Sequence, residues 1–322
     1  MKTYLIRRVL VLIPLLLAIS LLSFFIMQLS PGNYLDQLRL NPDISSDLIN
    51  RLESEYGLNQ NIFHQYLHWL WQLLHGNLGE SFSYRIPVTE VIGSRIANTF
   101  ILSLAAMIIA WGLAIPLGIY SATHRYSITD NFLSSFAFIG LSIPNFFFAL
   151  ILLFLIVKYS LPLPVSGMTD IMHDFMSPTE QLLDILRHLL VPAVVLGTAS
   201  TASLMRQMRG QMLDVINSDY IRTARAKGLK ERTIIYHHAL RNALNPMITL
   251  FGYQLSSLLS GAALTETVTG WPGLGKMMLT AVRGKDIYLA MAGMMMGSFM
   301  LVIGNLISDL LLALNDPRIK YD

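Results

Sequence analysis

The sequence predicts an all-α integral membrane protein with six transmembrane helices. Apolar residues make up 53% of the 322 and charged residues only 13%, against about 25% charged in a soluble globular chain. Mean hydropathy is +0.52. Stretches nearly free of charge recur six times along the chain. Disorder needs the opposite balance of low hydrophobicity and high net charge. The absence of cysteine excludes a disulfide framework and thiolate-ligated zinc or iron–sulfur centres. A net charge of +3 is too small for a nucleic-acid footprint.

The first element, 9–29, holds 21 residues without a charge. As a helix it reaches about 31 Å, one hydrocarbon thickness. Lys2, Arg7 and Arg8 precede it, as in a signal peptide. The run is too long for one, and Gln28-Leu29-Ser30-Pro31 is a poor cleavage site. Residues 1–29 are therefore expected to be an inner terminus and a retained span, with Arg7-Arg8 as a topogenic anchor.

Residues 30–98 read as an amphipathic outer segment. Ser46 is expected to cap a helix running to Tyr56 and ending at Gly57. Ile62, Phe63, Tyr66, Leu67, Leu70, Leu73 and Leu74 form an apolar stripe closed by His75-Gly76. Trp69 and Trp71 suit a helix lying at the membrane surface. Val88, Val91, Ile92 and Ile96 lead into the second span. Residues 99–314 then form a five-helix core, with spans at 99–121, 132–157, 189–205, 247–265 and 287–314; residues 315–322 are a tail. The span at 189–205 is short and rich in Ala, Gly, Ser and Thr. Pro14, Pro116, Pro144 and Pro192 are expected to kink the spans rather than end them, because neighbouring helices tolerate such breaks.

Orientation follows from counting Lys and Arg. With the amino terminus inside, segments 1–8, 122–131, 206–246 and 315–322 hold 14 basic residues in 67. Segments 30–98, 158–188 and 266–286 hold 9 in 121. The nearly threefold higher density inside obeys the positive-inside rule, so both termini are expected in the cytoplasm.

The inner loop 206–246 carries 8 of the 23 basic residues. It reads as two short amphipathic helices joined at Gly228, where positive φ would let the chain turn sharply. Ala224 and Ala226 are small enough for another surface to approach. Such a protruding elbow can transmit a push from a soluble partner to the membrane helices.

The loop resembles the EAA loop of permease subunits of binding-protein-dependent ABC importers. The final alanine of that pattern falls on Ala224, its glycine on Gly228 and its leucine on Leu240. Arg222, Thr223, His238 and Arg241 depart from the generic pattern. They fit the variant of the dipeptide/oligopeptide/nickel branch, similar to D-Y-I-R-T-A-R-A-K-G followed by H-A-L-R-N-A. Further landmarks of the branch recur in order: Ser30-Pro31-Gly32, Gln65-Tyr66-Leu67, Gly76-Asn77-Leu78-Gly79, Pro164-Val165-Ser166-Gly167, Leu264-Thr265-Glu266-Thr267, Trp271-Pro272-Gly273-Leu274-Gly275 and Asn315-Asp316-Pro317-Arg318-Ile319.

The resemblance spans essentially the whole chain and implies a B-type subunit with a type I importer fold in a prokaryotic plasma membrane. It also implies a second permease subunit, two cytoplasmic ATPases that hold the ATP and magnesium, and an external binding protein. No cofactor is expected in this chain, and lipid is its remaining partner. Ala224, Arg225, Ala226, Lys227, Gly228, Leu229 and Lys230 become the candidate ATPase-coupling contact. Arg225, Lys227 and Lys230 either pair with acids on the ATPase or only set topology. Dipeptides or oligopeptides lead as substrate, with nickel or another small solute as the alternative. An ion-coupled carrier would need ionisable groups at mid-membrane and inverted repeats.

Gly270 to Lys276 formally fits G-x-x-x-x-G-K. Met277 follows where a Ser or Thr would hold magnesium, and no strand precedes it, so a phosphate loop is rejected. A re-entrant or interfacial turn anchored by Trp271 is expected, with Trp271, Pro272 and Gly273 as a candidate contact for the binding protein. His64 and His68, four apart, read as a wet helix face rather than a metal site. His188 and Glu266 are expected at the interface. Asp309, with Asn305 on the same face, suits hydrogen bonding within the bundle rather than a proton relay. Met294, Met295 and Met296 read as packing. No nucleophile–base constellation points to an enzyme.

Overall fold

The computed structural model describes residues 2–29, 32, 34–39, 45–55, 57, 59–259 and 262–315. The landmark residues Ser30 and Pro31, the expected helix end at Tyr56 and the tail from 316 onward lie outside these. Among the described residues there is no strand; a single bridge joins Glu80 and Pro87.

Helix α1 (Lys2–Leu29) runs unbroken through Pro14. Short helices α2 (Tyr34–Arg39) and α3 (Ser46–Glu55) follow. Ser45, not Ser46, precedes α3, and its Oγ accepts the Leu48 N–H at 3.3 Å. Helix α4 (Ile62–Leu74) is capped by Asn61, whose side chain accepts from the Phe63 N–H, and it stops at His75-Gly76 as expected. Trp69, expected at a membrane surface, is instead buried with Phe24, Tyr66, Ile287 and Met291. Trp71 is exposed. The stripe of α4 thus faces the protein rather than lipid at Trp69.

Helix α5 (Val88–Thr123) carries the Val88, Val91 and Ile92 stripe straight into the second expected span and passes through Pro116 without ending. The third expected span does end. Helices α6 (Ile128–Ser142) and α7 (Asn145–Lys158) meet at a 101° bend. Pro144 bars the helical conformation for the residue before it, and Ile143 is extended at φ −89°, ψ 122°. Pro144 then sits at the start of α7, where its missing N–H costs nothing. The expected kink is therefore a break.

Helix α8 (Pro178–Ile216) is 39 residues long and contains the short fourth span. It starts on a strong signal: Pro178 in the first turn, and a Glu180 carboxylate that accepts from the Ser177 N–H at 2.9 Å and Oγ at 2.7 Å. Beyond it lie α9 (Asp219–Ala226), α10 (Glu231–Thr233), a π-helical turn over Ile234–Ala239, and α11 (Leu240–Leu259). Helices α12 (Ala263–Thr269), α13 (Leu274–Arg283) and α14 (Ile287–Asn315) complete the chain.

Four of these helices are long and apolar enough to cross a membrane, and the α6–α7 pair makes up to five. Among the described residues a sixth span is not confirmed: α11 carries Arg241, Asn242, Asn245 and Gln254, and the expected span 247–265 runs across residues 260–261, outside those described. Gln254 nevertheless has a place inside the bundle, where its Oε1 accepts the Trp111 indole N–H at 2.9 Å.

Helices α5 and α8 form the central pair, and glycine lets their backbones approach. A Cβ on Gly118 would stand 2.7 Å from the Met208 Cβ and 3.0 Å from the Met205 carbonyl. A Cβ on Gly197 would stand 2.8 Å from Ile109 and 3.0 Å from the Ala106 carbonyl. Small residues at crossings are how helices pack where no hydrophobic drive separates lipid from protein. Gly118→Leu is expected to cut the yield of monodisperse protein severely, since overpacking of this kind costs roughly 1–3 kcal/mol or more. Gly112→Leu is the control, because nothing lies within 4 Å of a Cβ there. Equal yields from the two variants would show that the crossing is not structural.

Candidate functional site

The elbow begins where α8 ends at Ile216 and turns at Asn217-Ser218 into α9. At its tip the chain forms a complete Schellman cap. The Gly228 N–H donates to the Arg225 carbonyl at 2.9 Å, and the Leu229 N–H to the Ala224 carbonyl at 3.3 Å. Gly228 takes φ +76°, the left-handed conformation this motif demands and glycine accepts without a Cβ penalty. Nothing lies within 4 Å of a Cβ built on it, so the requirement for glycine is conformational.

The seven expected contact residues divide in two. Ala224 is buried, together with Ile221, against Met208 and Met212 of α8 and Ala239 and Ala243 beyond the elbow. The surface that its small size admits is the bundle itself. Arg225, Ala226, Lys227, Gly228, Leu229 and Lys230 are exposed. Arg225 is committed within the chain: its Nη2 lies 2.6 Å and its Nε 3.2 Å from the Glu231 carboxylate, across the glycine turn. Those hydrogen bonds hold the Glu231 carboxyl below its ordinary range. Both partners are exposed, so the pair contributes only about 0.2–1 kcal/mol. Its value is to brace the turn. Lys227 and Lys230 form no ion pair among the described residues.

Two features that join the elbow to the bundle have no simple signature in the sequence. One is the π-helical turn. Ile234 and Ala239, five residues apart, are both fully buried, and the Leu240 N–H reaches back to the Ile235 carbonyl. The wider π turn stacks residues at i and i+5, which an α-helix would splay apart. The other is a strut between α6 and α8. Asp130 is 1% exposed. Arg209 grips it with Nε at 2.9 Å and Nη2 at 2.8 Å. The Tyr126 N–H donates at 2.9 Å, and the Ser121 hydroxyl donates as well. Foremost the Arg209 hydrogen bonds, with those of Ser121 and Tyr126, hold the Asp130 carboxyl far below its ordinary range against the opposing effect of burial.

At the opposite end of the bundle, α12 and α13 fold the chain back inward. Gly270 ends α12 in the left-handed conformation at φ +71°. Trp271, expected as an interfacial anchor, is fully buried against Leu102, Ala106, Leu189, Ala193 and Leu196. Its indole N–H donates to the Asn98 carbonyl at 3.1 Å. The Pro272 carbonyl accepts from Asn98 Nδ2 at 3.0 Å. Gly273 is buried too, leaving Pro272 as the partly exposed member of the three. Glu266, expected at the interface, has no exposed surface. Its Oε2 accepts the Lys276 N–H at 2.7 Å, so its carboxylate caps the amino end of α13, as the helix dipole favours. A Cβ on Gly273 would overlap that carboxylate. His188 is likewise buried, its Nδ1 3.1 Å from Asp184, which also lies 2.7 Å from His173. No group of three metal-ligating side chains occurs among the described residues, and His68 pairs with Gln72.

Landmarks that lie far apart in the chain meet in the fold. At the return loop the Gly167 N–H donates to the Thr269 carbonyl at 3.1 Å, and at the start of α14 the ring of Tyr288 lies against Gly79. The structure is thus a helical, multi-pass membrane bundle with a rooted, glycine-capped basic elbow at one end and a buried return loop at the other. The chain belongs to the inner membrane components of binding-protein-dependent transport systems: the family model of that description matches residues 114–321, and its companion for the N-terminal part matches 1–105. It is 42% identical over 322 residues to the oligopeptide transport system permease protein AppB of Bacillus subtilis (strain 168), covering 100% of both chains. It is 36% identical over 338 residues to the dipeptide transport system permease protein DppB of Escherichia coli (strain K12), covering 100% of this chain and 99% of that one. The di/tripeptide transport system permease protein DppB of Pseudomonas aeruginosa (strain UCBPP-PA14) is 36% identical over 341 residues, with the same coverage.

Proposed function

We propose that this chain is the non-catalytic membrane subunit of an ATP-driven importer of dipeptides or oligopeptides, and that it turns movement at its elbow into a change of access across the bilayer. The observation that carries the reading is the construction of the elbow: an exposed basic tip at 225–230 on a helix whose other face, Ile221 and Ala224, is built into the bundle. A partner that grips the tip must move α8 and α11 with it. The charge distribution supports a cytoplasmic elbow and cytoplasmic termini, and there two ATPases would hold ATP and magnesium and engage Ala226, Lys227, Gly228, Leu229 and Lys230. A second permease subunit completes the path. A binding protein delivers substrate on the outer face, where Pro272 is the accessible part of the return loop. Peptides rather than nickel fit the names of the relatives.

The test is uptake of a labelled dipeptide and a labelled pentapeptide into proteoliposomes carrying all subunits. Uptake is expected to require the ATPases, ATP and the binding protein together. Transport that persists without the ATPases, driven by an ion gradient, would replace this reading with a secondary carrier.

A further inference from the structure

We infer that the groove between α6 and α8 binds one anionic phospholipid of the cytoplasmic leaflet, with Arg206 on its phosphate. A hollow of about 220 Å³ opens between these helices, lined by Ser134, Ala137, Phe138, Leu141, Met205, Arg206 and Arg209. It is too large for a single water, whose share of liquid volume is about 30 Å³, and its floor is aliphatic and aromatic. A second apolar hollow of about 210 Å³ shares Ala137 and Met205 as a common wall and extends past Gly140 and Ile143 toward the α6–α7 break. Together they suit a hydrocarbon chain.

The two cations at the rim are not equivalent. Arg209 is spent on Asp130 with two of its N–H groups. Arg206 is exposed and forms no ion pair or hydrogen bond among the described residues. It is the first charged residue after the uncharged run 189–205, which puts its guanidinium at the level of lipid phosphates. Ser134 lines the same hollow, but its hydroxyl is directed to the Asp130 carboxylate at 3.5 Å, which leaves Arg206 as the group for the phosphate. A planar guanidinium pairs with phosphate through two parallel hydrogen bonds, and basic pockets between membrane helices on the cytoplasmic side are suited to anionic head groups. An uncommitted cation above an apolar trough thus complements both ends of an anionic lipid. A second protein would need an acid at the rim and an apolar ridge beneath it. The leaflet rests on the orientation proposed above; the site itself does not.

The experiment uses the whole transporter, co-purified with its partner subunits into nanodiscs of phosphatidylcholine containing a minor fraction of phosphatidylglycerol. Native mass spectrometry reads the retained phosphatidylglycerol relative to phosphatidylcholine, with no transport needed. Arg206→Gln is expected to lower that enrichment about fivefold, the ratio corresponding to ~1 kcal/mol for one basic side chain near an anionic surface. Arg206→Lys is expected to keep most of it. Leu141→Trp, which fills the trough, is expected to lower retention of both lipids. A photo-crosslinker at Phe138 in the otherwise unaltered protein is expected to capture phosphatidylglycerol in preference to phosphatidylcholine. Unchanged enrichment in Arg206→Gln would overturn the proposal. So would capture of the second permease subunit at Phe138, which would make the groove a subunit interface.

Discussion

Gly228→Val is expected to leave ATP hydrolysis by the assembled transporter running while peptide uptake falls to about a tenth or less, the effect of a little over 1 kcal/mol on a coupled step. Left-handed backbone costs an ordinary L-residue roughly 1–2 kcal/mol, and a β-branched side chain tolerates it worst. No neighbour stands within 4 Å of the new Cβ, so the variant is expected to fold and insert. Its cost falls on the cap itself, where the Gly228 and Leu229 N–H groups close the end of α9. With the cap opened, the tip at 227–230 points elsewhere and the ATPase grips a misdirected handle. Gly228→Asn is the control, because asparagine visits this conformation, and it should retain most uptake. Parental uptake by the valine variant would show that coupling does not pass through this turn.

Asp130→Ala is expected to have the largest effect on stability. It removes a buried carboxylate and leaves the Arg209 guanidinium, 25% exposed, without its counter-charge, and the Tyr126 N–H and Ser121 hydroxyl without their acceptor. Breaking one side of a buried pair costs about 3–5 kcal/mol; the partial exposure of Arg209 puts this case near ~3 kcal/mol. Thermal inactivation half-life of the purified complex is the measurement, since such proteins unfold irreversibly. In a double-mutant cycle, Arg209→Ala is expected to add little once Asp130 is gone. Additive losses would mean that the two do not act as a pair. The pH dependence follows from the depressed carboxyl. Its stabilisation is fully present above the ordinary carboxylate value of about 3.9 and is lost only as pH falls below it. The strut therefore does not respond to pH in the physiological range.

Much of this architecture was legible in the sequence because periodicity and caps are local. The stripe of α4, its stop at His75-Gly76 and the glycine turn at 228 each follow from a few neighbouring residues. At Pro144 the constraint that proline places on Ile143 is local, whereas the tolerance of a kink depends on neighbouring helices that no single segment reveals. The residue types of Trp69, Trp271, Glu266 and His188 favour the interface. Glu266 and His188 are held by neighbours within ten positions, Lys276 and Asp184, but the burial of Trp69 and Trp271 is decided by partners far along the chain, the Asn98 carbonyl for Trp271 and Met291 for Trp69. The same is true of Asp130, whose partner Arg209 lies 79 residues on. Among the elbow residues, Gly228 could be found by its turn chemistry, but the division between buried Ala224 and exposed Ala226 needed the bundle. The π-helical turn has a faint signal, since Ile234 and Ala239 are apolar at a spacing of five.

The burial of Ile221 and Ala224 sets how much play the linkage has. An arm attached by a floppy strap would absorb the first part of any tug as slack. Here the α9 backbone is seated on close-packed methionine and alanine, a material of low compressibility, so a displacement at the tip would arrive at α8 and α11 with little backlash.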